Sequence, residues 1–461
     1  MLIGGSYRSQ VCPPDEWRNV LNWKHVRGEE LHCPASSPHV AVMTDRRRDV
    51  VGCFARDLGG SRLAAGVQLA YCRSHAWSGH DPYDALNSRL LRSLGLLRWP
   101  LPRLAATQFL KRCPVNLRGL LGVPREQNPK GIAVFLAAMV RLHGVGLAGE
   151  QDVRALAARL IELRSVNQPR SCWGYNFDWQ TRTYLVPRGT PNIVCTTFAA
   201  NALLDAYDAF GDPGWLDAAQ TAGAFLLEGL HTTRDGDTLC FSYTPLVPSE
   251  VHNASLLGAA LLARLHTYQP SEEFRSAAVA ATRYALKRQR PDGSWPYGEG
   301  AKQRWIDSFH TGFNLMALER VRECLGMTEC EPAIRSGYRF YLDHFFESDG
   351  RAKYFHNSTY PIDAHSIAQA LVTLTGLAAY DDRSLAVASK VCEWALGNMR
   401  APQGWFYYQK WRWWTNRINY MRWSQAWMLL GLACYVRGQR AEGRGQRSEV
   451  GGQRSEIRGP V

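Results

Sequence analysis

The sequence predicts an all-α fold, an (α/α)6 toroid of six helical hairpins, and three observations lead there. An aromatic, polar loop runs six times into an almost wholly apolar helix, the six starts are evenly spaced, and a helix with a charged face lies between successive starts. Repeats of this kind mark architectures in which each unit buries its apolar face only against its neighbours.

The first unit is NPKGIAVFLAAMVRL, turning helical at Gly131. It is followed by PNIVCTTFAANALLDAY from Asn192, HNASLLGAALLARL from His252 and SFHTGFNLMALERV from Ser308. The last two are DAHSIAQALVTLTGL from Asp363 and MRWSQAWMLLGLACYV from Met421. Successive starts are 61, 60, 56, 55 and 58 residues apart, which two helices of roughly 15 residues and two connections fill. Between them lie partner helices such as RSAAVAATRYALKRQ (275–289) and SLAVASKVCEWAL (384–396). Their charged face suits an outer layer in water, whereas HNASLLGAALLARL is apolar nearly all round and belongs inside. An open solenoid is the rival arrangement, but six units is the number that closes a toroid.

Residues 71–436 are expected to form this domain. Residues 1–70, with CPPDEW, CPASSPH and TDRRRDVV, show no sustained helical period and are expected to be an irregular extension or sequence upstream of the natural start. Residues 437–461 repeat GQRSE, hold six Arg against three Glu, and read as a basic, low-complexity, disordered tail.

Hydrophobic residues make up 46% and charged residues 21% of the chain, as in soluble globular proteins. No apolar run reaches the length of a transmembrane segment, so none is expected. The start, MLIGGSYRSQ, has no apolar core of a secretory signal. Twelve Cys lie scattered without zinc-like spacing and read as reduced thiols of a cytoplasmic protein. Neither a metal nor any other cofactor is expected. The formal net charge of +13 suits an acidic saccharide as readily as a plain solvated surface. With no nucleic-acid-binding motif, no nucleic-acid partner is expected.

The 16 Trp and 19 Tyr fall mostly in loops. There their ring faces suit sugar rings, although the plainer reading is that they cap a large helical core. The loops leading into the inner helices are long and those leaving them short. Residues just before each inner helix, or in its first turn, therefore converge on the axis at one end, where helix N-termini also favour anions. In chain order these are Lys130, Asn192, His252 with Asn253, Asp307 with His310, Asp363 with His365, and Arg422. The loops add Trp173, Tyr175, Asp178, Tyr243, Trp295, Tyr297 and Tyr360. Asp363 and Ser308 are also the residue types that cap helix N-termini.

Glycoside hydrolysis asks for two carboxyl groups, one protonated and one ionised, and Asp307 with Asp363 is the best pair, with Asp178 a third candidate. Lyase or epimerase chemistry on a uronate needs a carboxylate neutraliser and a base. Asn192, Asn253, Arg422 and the histidines suit the first task, and Tyr175, Tyr297 or His310 the second. The set expected to be catalytic is therefore Asp307, Asp363, His310, His252 and His365, with the remaining residues apart from Lys130 holding substrate.

The stretches WGYNFDWQTR (173–182), GTPN (189–192), VHNASLLGA (251–259), WIDSFHTGF (305–313), YPIDAHSIAQA (360–370) and YMRWSQAW (420–427) resemble bacterial six-hairpin glycosidase-like proteins of exopolysaccharide and capsule biosynthesis. SGHDPYDALNS (78–88) and KRCPVNLRGLLGVPREQNPKG (111–131) extend the resemblance over residues 77 to 436. It implies a poly- or oligosaccharide substrate and other exopolysaccharide-synthesis proteins as partners, and assigns no catalytic residue. QRPDGSW (289–295) also resembles the repeat of squalene and terpene cyclases. The D-x-D-D motif of those lipid enzymes is absent, so this second likeness speaks for fold. Cyclase-like lipid chemistry and non-catalytic glycan binding remain the alternatives.

Overall fold

The computed structural model describes residues 60–440, apart from 182 and 183. The expected extension up to residue 59 and the tail from residue 441 lie outside the described residues. Helix α1 (60–74) comes first, so helical structure begins ahead of residue 71, where the sequence places the start of the domain. Two helices of the following segment, α2 (Arg89–Ser93) and α3 (Pro100–Arg112), come before the first hairpin.

The hairpins follow in order: α4 (Pro129–Gly144) with α5 (Glu150–Glu162), α6 (Ile193–Phe210) with α7 (Pro213–Glu228), and α8 (His252–Tyr268) with α9 (Glu272–Leu286). Next come α10 (Ser308–Leu325) with α11 (Cys330–His344), and α12 (Ala364–Gly376) with α13 (Ser384–Asn398). The chain ends its ring on a π-helical turn, Met421–Ala426, running into α14 (427–440). The inner helices α4, α6, α8, α10 and α12 start within two residues of the expected positions. They are buried on every side over most of their length, whereas α5, α9 and α11 bury one stripe each. Apolar residues all round therefore select the inner layer and amphipathic ones the outer.

The sixth outer helix is α1, from the opposite end of the chain, and it closes the ring. Gln68 Nε2 donates to the Gln425 carbonyl over 3.0 Å, and Arg62 reaches the Val145 carbonyl at the end of α4 over 2.8 Å. On the inner layer α4 meets the π-helical turn directly: a Cβ on Gly131 would stand 3.2 Å from Arg422 Cβ. Glycine is needed more strictly at Gly431, where a Cβ would meet Ala368 Cα and its carbonyl oxygen at 2.9 Å, so α12 and α14 touch backbone to backbone.

At the C-terminal end of the inner helices the core carries charge. Asp205 on α6 bonds Arg141 on α4 and Arg264 on α8, each over 2.9 Å and all nearly inaccessible to solvent. Short antiparallel strands decorate the other end. Three pairs matter there: Trp179–Gln180 with Leu185–Val186, Thr232–Asp235 with Thr238–Phe241, and Lys353–Phe355 with Ser358–Asp363, the last extended by Gln409–Lys410 and Thr415–Asn416.

Candidate active site

The regular polar slots at the start of the inner helices are largely N-caps. Asn192 Oδ1 accepts the Cys195 N–H at 2.8 Å, Asp307 Oδ1 the His310 N–H at 2.9 Å, and Asp363 Oδ1 the His365 N–H at 2.8 Å. A fourth cap, Asn128, accepts from Lys130 and Gly131. Sequence reasoning missed it by starting that helix at Gly131, although Asn followed by Pro is the cap and first-turn signal. Each cap satisfies a backbone N–H that the helix leaves unpaired.

Asp307 does more than cap. Its second oxygen, Oδ2, lies 2.5 Å from His310 Nδ1 and accepts the Trp305 indole N–H over 3.0 Å. Cap and dyad share one turn of α10, so fixing the helix start also fixes the imidazole. With Nδ1–H donated to Asp307, a neutral His310 carries its lone pair on Nε2. Tyr297 packs on the ring at a centroid distance of 4.8 Å and is itself stacked on Trp305.

Asp363, expected to pair with Asp307, has a different occupation. Beyond the cap, its carboxylate accepts the Trp423 indole N–H over 2.9 Å and the Gln409 amide over 2.7 Å, in complete burial. Desolvation pushes the carboxyl up to about 6, against the pull of those donors. Its neighbour His365 lies between the Phe309, Trp423 and Trp427 rings.

Several further sequence-predicted residues meet around the axis. The hydroxyls of Tyr175 and Tyr243 are 3.1 Å apart, and both rings contact Trp179 edge-on. The Arg422 guanidinium lies over the Tyr175, Phe177 and Trp423 rings, and the Lys130 ammonium stands 5.9 Å from the Tyr175 ring centre. Tyr175, Tyr243, Tyr297, His310, His365, Lys130 and Arg422 thus come from all six inner-helix starts or the loops that lead into them.

Others point elsewhere. Trp173 donates its indole N–H to Leu160 O on α5, and Trp295 donates to Ala285 O on α9. Both are buried pins between the layers, so for these two the core reading of the aromatics holds. Gln289 bonds the carbonyls of Gly293 and Ala333, which gives the QRPDGSW motif a structural job. Asp178 pairs with Arg92, Tyr360 receives a bond from Arg351, and His252 holds Glu299 at 2.7 Å, its pKa pushed down by burial. Asn253, 1% exposed in the first turn of α8, has neither side-chain atom hydrogen-bonded to a described residue.

Sequence reasoning also missed a polar cluster on the segment before the first hairpin. Asp81 forms a buried ion pair with Arg422, and Asp84 with Arg118, whose guanidinium also reaches the Tyr420 hydroxyl. Burial pushes Asp84 up to about 6, against the pull of Arg118 at 2.6 Å. With Glu126, Asn128 and Asn176 these acids line a cavity of about 10 Å³, room for a single water. The signal was the pair of Asp in HDPYD, which lies in no repeat. Among the described residues no three His, Cys, Asp or Glu are placed to hold a metal ion, and no helix is long and apolar enough to cross a membrane.

No protein-family model matches the chain, and no curated protein matches it by sequence. Solved structures do match by fold. Cellobiose 2-epimerase from Bacillus thermoamylovorans superposes with a TM-score of 0.54 at 12% identity, over 69% of this chain and 90% of that one. A sugar epimerase from a ruminal bacterium gives 0.54 at 14% identity, over the same shares of 69% and 90%. A family 76 α-mannanase from Bacteroides thetaiotaomicron gives 0.51 at 12% identity, over 69% and 86%. The chain has the six-hairpin glycosidase-like (α/α)6 toroid fold of these proteins.

Proposed function

We propose that the chain is an enzyme acting on a glycan at the N-terminal end of its inner helices, by proton transfer through His310. The carrying observation is the 2.5 Å contact between Asp307 Oδ2 and His310 Nδ1. A carboxylate in that position orients the ring and stabilises the imidazolium formed when Nε2 takes a proton. Such a base abstracts the proton next to a carbonyl or carboxylate of a sugar, which begins epimerisation or elimination. Two similar structures are sugar epimerases by name. Tyr175, Tyr243 and Tyr297 supply ring faces and hydroxyls, and Asn253 an amide with hydrogen-bonding capacity left. His310 is only 6% exposed, so a sugar reaches it once the loops over this end move apart. The substrate class we favour is an exopolysaccharide or its oligosaccharide precursor, in keeping with the sequence resemblance.

A second reading, hydrolysis, is favoured by the carboxyl groups of Asp81, Asp84 and Glu126 around the cavity. Incubation with acidic and neutral bacterial exopolysaccharides separates the two. New reducing ends without unsaturated-uronate absorbance support hydrolysis. That absorbance, or interconversion of epimers without new ends, supports proton transfer at His310.

A further inference from the structure

Among the described residues, ten of the thirteen strongly exposed large apolar side chains fall in two short stretches, 90–120 and 413–414. Leu101 is 78% exposed, Leu120 81% and Trp413 83%, with Leu94, Trp99 and Phe109 among the rest. The two stretches adjoin, since Asn416 donates to the Cys113 carbonyl over 3.3 Å. On α3, Leu101, Ala105, Phe109 and Arg112 are all exposed at the spacing of one helix face. Isolated exposed apolar residues need no explanation, but ten concentrated in two adjoining segments mark a surface made to be covered.

The charge around the group says what covers it. No Asp or Glu occurs from residue 85 to 125 or from 394 to 441, and Arg89, Arg98, Arg112, Arg412 and Arg417 are exposed. A second copy of the chain, joined about a two-fold axis, would bring two predominantly basic faces together. A nucleic acid would leave Leu and Trp tips against phosphates. Leu, Trp and Phe set among Arg is the pattern of segments that lie in a lipid interface, with apolar side chains in the acyl boundary and guanidinium groups on anionic headgroups. We propose that α2, α3 and the 410–417 hairpin form a face that docks on an anionic lipid bilayer. The attachment proposed is peripheral; no described helix is long and apolar enough to cross a membrane. The inference does not rest on the glycan reading.

The test is co-sedimentation of the full chain with vesicles of equal parts phosphatidylglycerol and phosphatidylcholine, beside vesicles of phosphatidylcholine alone. Binding is expected to the first and not the second, and to weaken with salt. The double variant Trp99→Ser/Leu101→Ser should lower it on the order of tenfold or more with thermal melting unchanged. Arg98→Gln/Arg412→Gln should weaken it severalfold and flatten the salt dependence. Absent binding, or binding that Trp99→Ser/Leu101→Ser leaves intact, overturns the proposal. So does a concentration-dependent dimer that the same variant abolishes, which would assign the face to a second copy.

Discussion

Asp307 both starts helix α10 and holds the imidazole of His310: one carboxylate oxygen caps the backbone and the other lies 2.5 Å from Nδ1. Because both tasks belong to one side chain, a variant that keeps the cap and spoils the dyad separates folding from chemistry.

Asp307→Asn is that variant. Asn caps a helix about as well as Asp, but its amide presents a donor towards His310 Nδ1 and favours the tautomer with the proton on Nε2. Turnover should fall about a thousandfold, with the melting temperature within a few degrees of wild type. His310→Gln should show a loss on the order of a hundredfold or more. Loss of fold in Asp307→Asn, by far-ultraviolet circular dichroism, would reduce Asp307 to a cap.

Asp363 should behave otherwise. Asp363→Asn should keep the fold and much of the activity, since Gln409 can turn its amide to present oxygen, whereas Asp363→Ala should cost about 1–3 kcal/mol in urea unfolding. A pH dependence follows. With the folded carboxyl at about 6 and an unfolded one near 4, the folded chain binds the extra proton between these values. The contribution of Asp363 to stability is therefore greatest below about pH 4 and declines as pH rises through about 6. The stability of wild type relative to Asp363→Asn should fall by about 3 kcal/mol over that window; a flat difference contradicts the assignment.

The buried charges at the opposite end of the inner helices give a test of the fold alone. Asp205→Ala leaves Arg141 and Arg264 without their shared carboxylate and should destabilise by about 3–5 kcal/mol, measured by denaturant unfolding.

Gly431→Ala should separate α12 from α14. Its Cβ would lie 2.9 Å from backbone atoms of Ala368, which cannot move as a side-chain tip can, so a loss of about 1–3 kcal/mol is expected. A melting temperature equal to wild type would show that the two inner helices have room to spare.

Much of this fold was legible because helical periodicity and burial are one signal: residues apolar all round became inner helices within two residues of their expected starts. α1 was not, because it pairs with α14 across the whole chain and no local repeat announces such a partner. The polar slots were legible as positions but ambiguous as chemistry, since Asp307 and Asp363 look alike in sequence. Only the surroundings differ, with His310 at one carboxylate and Gln409 and Trp423 at the other. Asp81 and Asp84 escaped notice because their buried arginine partners, Arg422 and Arg118, are set by the fold.

On the proposed reading, His310 moves a proton on a sugar. The most direct measurement is proton NMR of reducing disaccharides and uronate oligosaccharides incubated with the protein in deuterium oxide. Epimerisation should bring deuterium to the carbon next to the carbonyl or carboxylate, elimination should strip that carbon of its hydrogen, and His310→Gln should abolish either while the fold is retained. Glycosidic cleavage with no deuterium at carbon, at a rate His310→Gln leaves unchanged, would contradict the account.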